Sequence, residues 1–287
     1  MRMAAFDLTR PAARTSCVVF ASPHSGRDYP KSLLARTGLD ARLIRSSEDA
    51  FVDQLFAAAP EHGAPLLAAR VPRAWVDLNR AADELDPALV EGVVRRAHNP
   101  RVASGLGVIP RVVAGGRAIY SGKIGLDEAR ERLDTGWSPY HAALQSLLAE
   151  SLEQFGESIL IDCHSMPHEA IELAGTRGRP RPHVVLGDRY GAAAAPRVMA
   201  RIEAAFTAAG LRVARNTPFA GAYVTQTYGR PSRRQHAVQI EIDRSLYMDE
   251  ARIEPHSGFE AFRARLSGVI AEIAAIGATD SGQLAAE

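Results

Sequence analysis

The chain has 287 residues, 46% of them hydrophobic, and its 34 Lys and Arg nearly cancel its 33 Asp and Glu, leaving a formal charge of +1. That balance removes the electrostatic basis for a nucleic-acid or anionic-membrane partner, and neither is expected. No apolar run approaches the ~20 residues of a transmembrane helix, and Asp7 and Pro11 interrupt the start of the chain where a secretory signal needs its apolar centre, so a cytoplasmic protein is predicted.

Apolar, strand-forming runs recur at 17–22, 65–71, 74–78, 108–113, 117–120, 158–163, 183–187, 211–215, 221–226 and 236–243. Between them, helical periodicity is predicted from Glu48 to Ala59, Pro139 to Phe155, Ala192 to Ala209 and His256 to Ile276. Strands alternating with helices imply an α/β fold whose sheet is covered on both faces. Cys17 and Cys163 both fall inside strand runs, where they act as small hydrophobes rather than a disulfide framework. Neither an internal repeat nor a linker composition appears, so one domain is predicted over residues 1–287. Gly175 to Pro182 reads as a loop.

In chain order, the first chemical signal is His24, delivered by Cys17-Val-Val-Phe-Ala-Ser-Pro-His24 to the end of a strand and followed by a glycine turn at Gly26. Ser46, Ser47, Glu48 and Asp49 begin a helical pattern, and their plain reading is an N-cap with acids at the positive helix end. Arg73-Ala-Trp-Val-Asp-Leu-Asn-Arg80 follows. There an Asn-Arg pair at a strand end suits a carboxylate, which a guanidinium grips with two parallel hydrogen bonds. Ile159-Leu-Ile-Asp-Cys-His164 repeats the design of the first strand, so two histidines reach one rim of one sheet. Neutral imidazole is the commonest protein ligand for zinc, and ligands gather at the carboxyl ends of strands in open α/β sheets. His168 follows four residues later, but Pro167 disfavours helical pairing of the two. In the last strand Val238, Ile240 and Ile242 share one face and Gln239, Glu241 and Asp243 the other. A carboxylate there either meets an arginine such as Arg244 or serves as a general base tuned by partial desolvation. His62, His98, His141, His183 and His256 have no matching partners and read as ordinary histidines.

Seven segments then add up to a resemblance: Ser22-Pro-His-Ser-Gly26, Glu48-Asp49 with Val52-Asp53, Val76-Asp-Leu-Asn-Arg80, Ile161-Asp-Cys-His-Ser-Met166, Leu186-Gly-Asp-Arg189, Asn216-Thr-Pro-Phe-Ala-Gly221 and Gln239 to Met248. In that order the chain resembles the N-formylglutamate amidohydrolase (deformylase) family from about residue 17 to 275. The resemblance implies a mixed, largely parallel, eight-stranded-type sheet flanked by helices, zinc-carboxypeptidase-like and of the phosphorylase/hydrolase-like kind. It implies zinc, or another divalent ion, held by His24, Asp49 (in preference to Glu48) and His164. Glu241 would activate water, Asn79 and Arg80 would hold a substrate carboxylate, and Arg73 and Arg111 would be candidates for a second one. The implied activity is hydrolysis of a small-molecule N-acyl amino acid, first of all N-formyl-L-glutamate to L-glutamate and formate. A carboxypeptidase-like or aminoacylase-like hydrolase, and a non-catalytic metal-stabilised binding protein, are the alternatives.

Overall fold

The computed structural model describes residues 4–94, 99–174 and 181–277. His98 and residues 175–180 of the expected loop lie outside the described residues. The strands are β1 Phe6–Thr9, β2 Val18–Ser22, β3 Leu66–Ala69, β4 Val112–Val113, β5 Arg117–Ala118, β6 Ser158–Met166, β7 Val184–Gly187, β8 Val213–Arg215, β9 Gln235–Asp243, β10 Met248–Asp249 and β11 Glu254–Pro255. Seven of them make one sheet in the order β1-β3-β2-β6-β9-β7-β8, while β4 with β5 and β10 with β11 form two small ribbons. β3, β2, β6 and β9 run parallel. β1 pairs antiparallel with β3, and β7 antiparallel with β9, carrying the parallel β8 beside it. The sheet is thus mixed and largely parallel, as expected, with seven strands among the described residues.

The helices are α1 Lys31–Leu34, α2 Val52–Leu55, α3 Pro100–Ala103, α4 Leu126–Arg132, α5 Ser138–Phe155, α6 His168–Ala174, α7 Pro196–Ala208, α8 Tyr223–Tyr228 and α9 Phe259–Ala274. Both sheet faces are covered. On one, Val198, Ile202 and Phe206 of α7 and Phe262, Leu266 and Ile270 of α9 join a core with Val18, Ile161 and Val238. On the other, Leu144, Leu147 and Leu148 of α5 meet Val19, Leu160 and Ala237. Apolar residues three and four apart put these stripes on single helix faces, and each fully buried side chain of this size contributes about 1.5–3 kcal/mol.

The α5-side face changes character along its length. β6 and β9 are in register as Leu160 with Ala237, Asp162 with Gln239 and His164 with Glu241. The first pair belongs to the core. The next two pairs are buried polar residues at the carboxyl half of the strands, where the sheet stops being covered by α5 and begins to line a cavity.

Four predicted elements differ, one of them the strand expected at 108–113, which is reduced to β4. Residues 74–78 form no strand: Trp75 and Val76 amides donate back to the Pro72 carbonyl at 2.9 and 3.3 Å, so the segment is a tight turn. Its apolar pattern reflects burial of Val76 and Leu78 in the core. Residues 221–226, rich in β-branched and aromatic types, lie largely within α8 instead, because tertiary packing overrides propensity; the Val224 amide donates to Asn79 Oδ1 at 2.8 Å. The predicted helix from Glu48 shrinks to α2, since Phe51 adopts a left-handed φ of 67°. Ser46 does not cap it; its hydroxyl donates to the Leu43 carbonyl at 2.7 Å.

Candidate active site

Because Glu48 and Asp49 sit in a turn rather than a helix, their side chains diverge. Glu48 accepts from the Tyr29 hydroxyl at 2.6 Å and from Arg45 Nε at 3.0 Å. Asp49 is drawn the other way, its amide donating to the His24 carbonyl at 3.0 Å. Asp49 Oδ2 lies 2.9 Å from His164 Nδ1 and 3.4 Å from His24 Nδ1. The ligand atoms of His24, Asp49 and His164 all fall within 4.8 Å of one another, and all three residues are buried. Gly26 makes this approach feasible for His24, since a Cβ there would meet the Val71 carbonyl oxygen at 2.0 Å.

Each imidazole is backed on its far side. His24 Nε2 bonds Asp77 Oδ1 at 2.7 Å. His164 Nε2 lies 3.0 Å from Asp162 Oδ1 and 3.2 Å from Asn79 Nδ2. Asp77 behind His24 favours the tautomer with Nε2 protonated, leaving its Nδ1 free for a metal ion, whereas His164 faces carboxylates at both nitrogens, donates Nδ1–H to Asp49 Oδ2 and would give up that proton to bind a metal. His24 Nδ1 is buried and has no hydrogen-bond partner among the described residues. Two ring nitrogens and a carboxylate oxygen brought this close make a group able to hold a metal ion.

The electrostatics follow from burial and the crowding of charges. Burial pushes the Asp49 carboxyl up, but the hydrogen bond from His164 and the proximity of His24 outweigh it and hold the group well below the usual carboxylate range. Burial lowers His164, yet Asp162 and Asp49 more than compensate and raise it well above an ordinary imidazole. Asp77 stays well below its usual range against burial because Arg73 and His24 stabilise its charge. Glu241 is the exception: burial, with the Asp49 carboxylate adding to it, pushes its carboxyl up to about 7 although His164 pulls the other way.

These groups open into a cavity of 560 Å³, within the range of small-molecule sites, roughly 300–1,000 Å³. His24, Asp49, Arg73, Asn79, Arg80, His164 and Glu241 all line it. Arg73 donates to Asp77 Oδ2 at 2.9 Å. Asn79 is committed on both sides, its oxygen to the Val224 amide and its nitrogen toward His164 and Asp162. Arg80 spends Nε on the Leu106 carbonyl at 3.0 Å and Nη1 on the Asn79 carbonyl at 2.9 Å. No carboxylate among the described residues pairs with it, and burial draws its pKa downward. Arg111 is not brought to the cavity wall; its Nε donates to Asp86 Oδ2 at 3.0 Å.

Several contributors were not singled out from the sequence. Arg244 donates to Asp49 Oδ1 at 3.0 Å, to the Glu48 carbonyl at 2.6 Å and to Ser165 Oγ at 3.1 Å. It thereby occupies one oxygen of Asp49 and leaves the other to the histidines. Gln239 donates to Glu241 Oε1 at 2.8 Å. Arg101 lines the cavity from α3. Asp162 carried a readable signal, as it stands two residues before His164 and so on the same strand face. Arg101 carried none, and Arg244, expected as a partner of the strand carboxylate, pairs instead with Asp49, which is distant in sequence.

Comparison with known proteins agrees with this architecture. Residues 16–248 match the N-formylglutamate amidohydrolase family. The chain is 33% identical over 236 residues to the N-formylglutamate deformylase of Pseudomonas aeruginosa, covering 81% of this chain and 82% of that protein. It is 30% identical over 240 residues to the N-formylglutamate deformylase of Pseudomonas putida, with the same coverage of 81% and 82%. The crystal structure of N-formylglutamate amidohydrolase from Ralstonia eutropha JMP134 superimposes with a TM-score of 0.90 at 35% identity, covering 96% of this chain and 99% of that one. The chain belongs to the N-formylglutamate amidohydrolase family.

Proposed function

We propose that this chain is a zinc-dependent deformylase that hydrolyses N-formyl-L-glutamate to L-glutamate and formate. The observation that carries the reading is the buried convergence of His24, Asp49 and His164 beside Glu241, in a cavity that also holds an arginine without a carboxylate partner. The names of the similar proteins from the two Pseudomonas species support the substrate.

The donor set fits zinc. Two imidazole nitrogens and one carboxylate are a usual three-residue set for a catalytic ion, leaving a further coordination position open. The unpartnered His24 Nδ1 and the carboxylates behind both rings are what such a site requires. When bound, the ion supplies Lewis acidity, polarising the formyl carbonyl and acidifying water. Glu241 takes the proton from the attacking water and returns it to the amide nitrogen as the C–N bond breaks. Burial raises its pKa above the ordinary carboxylate range, which strengthens it as a proton acceptor. Arg80 receives a substrate carboxylate through its uncommitted Nη2, while Asn79, already bonded within the protein, braces His164 and α8. Glutamate carries a second carboxylate. For it we favour Arg101 over Arg111, because Arg101 lines the cavity whereas Arg111 is paired with Asp86; Arg73 remains tied to Asp77.

The test is hydrolysis of N-formyl-L-glutamate, N-formylglycine and N-acetyl-L-glutamate, read as release of the free amino acid, before and after chelation and on returning zinc. Zinc-restored turnover should be highest on N-formyl-L-glutamate, and Arg80→Lys should cut its kcat/KM about tenfold or more, since Lys lacks the guanidinium fork. Absence of formate release from N-formyl-L-glutamate by the zinc-loaded protein would reject the reading.

A further inference from the structure

Gln239 stands on β9 two residues before Glu241, so both side chains leave the same face of the strand. Its Nε2 donates to Glu241 Oε1 at 2.8 Å. This contact fixes the amide's orientation, because the reverse one would set two oxygens, the amide's and the carboxylate's, against each other. The amide oxygen is therefore turned elsewhere. Gln239 is only 4% exposed, and its Oε1 has no hydrogen-bond partner among the described residues. The register explains why: Gln239 lies between Asp162 on β6, a carboxylate, and Gly187 on β7, which has no side chain. Neither neighbour offers a side-chain donor, and Gln239 is one of the residues lining the cavity beside Glu241.

A buried amide oxygen without a donor is costly, and a site that keeps one is suited to a ligand bringing its own N–H. We propose that Gln239 Oε1 accepts the N–H of the scissile amide, making Gln239 a substrate-orienting residue that selects secondary amides. The inference rests on the reading of Glu241 as general base. One side chain then performs two tasks. Its nitrogen braces the base, and its oxygen holds the N–H so that the developing nitrogen lone pair turns toward Glu241. The balance is unchanged: a C–O bond forms from water, the C–N bond breaks, and Glu241 carries the water proton to nitrogen. Gln239 neither gains nor loses a proton.

The experiment compares N-formyl-L-glutamate with N-formyl-N-methyl-L-glutamate, which lacks the N–H, in the zinc-loaded wild type and in Gln239→Met. Metal content and kcat/KM are measured for both substrates. Where the N-methyl compound turns over too slowly, its inhibition constant against N-formyl-L-glutamate replaces its kcat/KM, compared with that of a secondary-amide inhibitor. Wild type should favour the secondary amide by roughly 10–100-fold or more, and Gln239→Met should lose most of that preference with metal content unchanged. Gln239→Asn, which keeps the amide but withdraws it by one methylene, serves as the second variant and should show the same collapse. An equal preference in wild type and both variants, or none in wild type, overturns the proposal. Failure of the underlying reading looks different: Glu241→Gln would then turn over normally, whatever the substrate ratio.

Discussion

At the scale of single residues, the site is governed by the burial of its charges. Glu241 is 8% exposed and burial pushes it up to about 7. The carboxylate is the working form of a base, so activity should be lost as pH falls through its pKa. A bound cation favours the carboxylate and draws that pKa back down, which puts the acid limb of kcat/KM between the ordinary glutamate range and about 7. Glu241→Gln should retain metal and fold yet lose about 10²–10⁴-fold in turnover; metal loss in that variant would instead make Glu241 a ligand. Asp77 acts one step further out, through His24 Nε2. Asp77→Asn should weaken metal affinity about 10–100-fold, the usual effect of losing a carboxylate behind a ligating histidine. A competition titration with a chelating indicator reads this directly, and unchanged affinity would show that the Asp77 contact does not tune the ring.

At the scale of elements, the histidines arrive by different routes. His164 is held inside β6, braced by β2 and β9 on either side. His24 lies on a loop after β2 that rests on the backbone of Val71 at Gly26. That contact has no room for a side chain. Gly26→Ala should therefore displace the loop, lowering metal affinity and Tm together, whereas Ser25→Ala next to it should do far less. Wild-type metal affinity and Tm in Gly26→Ala would mean the loop has slack. The turn bearing Asp77, Asn79 and Arg80 is pinned at the start of α5, where Trp137, just before the helix, donates from Nε1 to the Arg80 carbonyl at 2.9 Å and His141 Nε2 lies 3.0 Å from the Leu78 carbonyl. Burial lowers His141 to about 4, so it stays neutral and hydrogen-bonded through the working pH range.

At the scale of the whole molecule, the candidate metal group sits at the carboxyl rim of the sheet, while two apolar cores pack its faces. No helix among the described residues is long and apolar enough to cross a membrane. The cores do not include the rim residues, so chelation should leave the far-UV spectrum essentially unchanged and lower Tm only by the lost binding energy. At free metal 100-fold above its Kd that energy is about 2.7 kcal/mol. The gain should shrink as pH falls, because protons compete with metal for the two Nδ1 atoms. Collapse of the far-UV spectrum on chelation would instead place the ion among the determinants of folding.

The strands that carry function were legible in the sequence. β2, β6 and β9 announce themselves as apolar runs, and their period of two places Gln239 and Glu241 on one face and Val238, Ile240 and Ile242 on the other. The long helices α5, α7 and α9 follow equally from their apolar stripes. The turn at 74–78 and helix α8 were not legible, since their composition is that of strands and only packing against the core and Asn79 decides otherwise. Nor could the sequence say which acid of Glu48-Asp49 faces the histidines on its own terms; a left-handed Phe51 and Arg244, almost two hundred residues away, settle that orientation. Local pattern determines which residues reach the rim, because strand periodicity is a property of neighbours. Tertiary structure decides which atoms are already spent on Asp77, Asp162, Asp86 or Arg244, because hydrogen-bond partners are chosen by distance in space rather than along the chain.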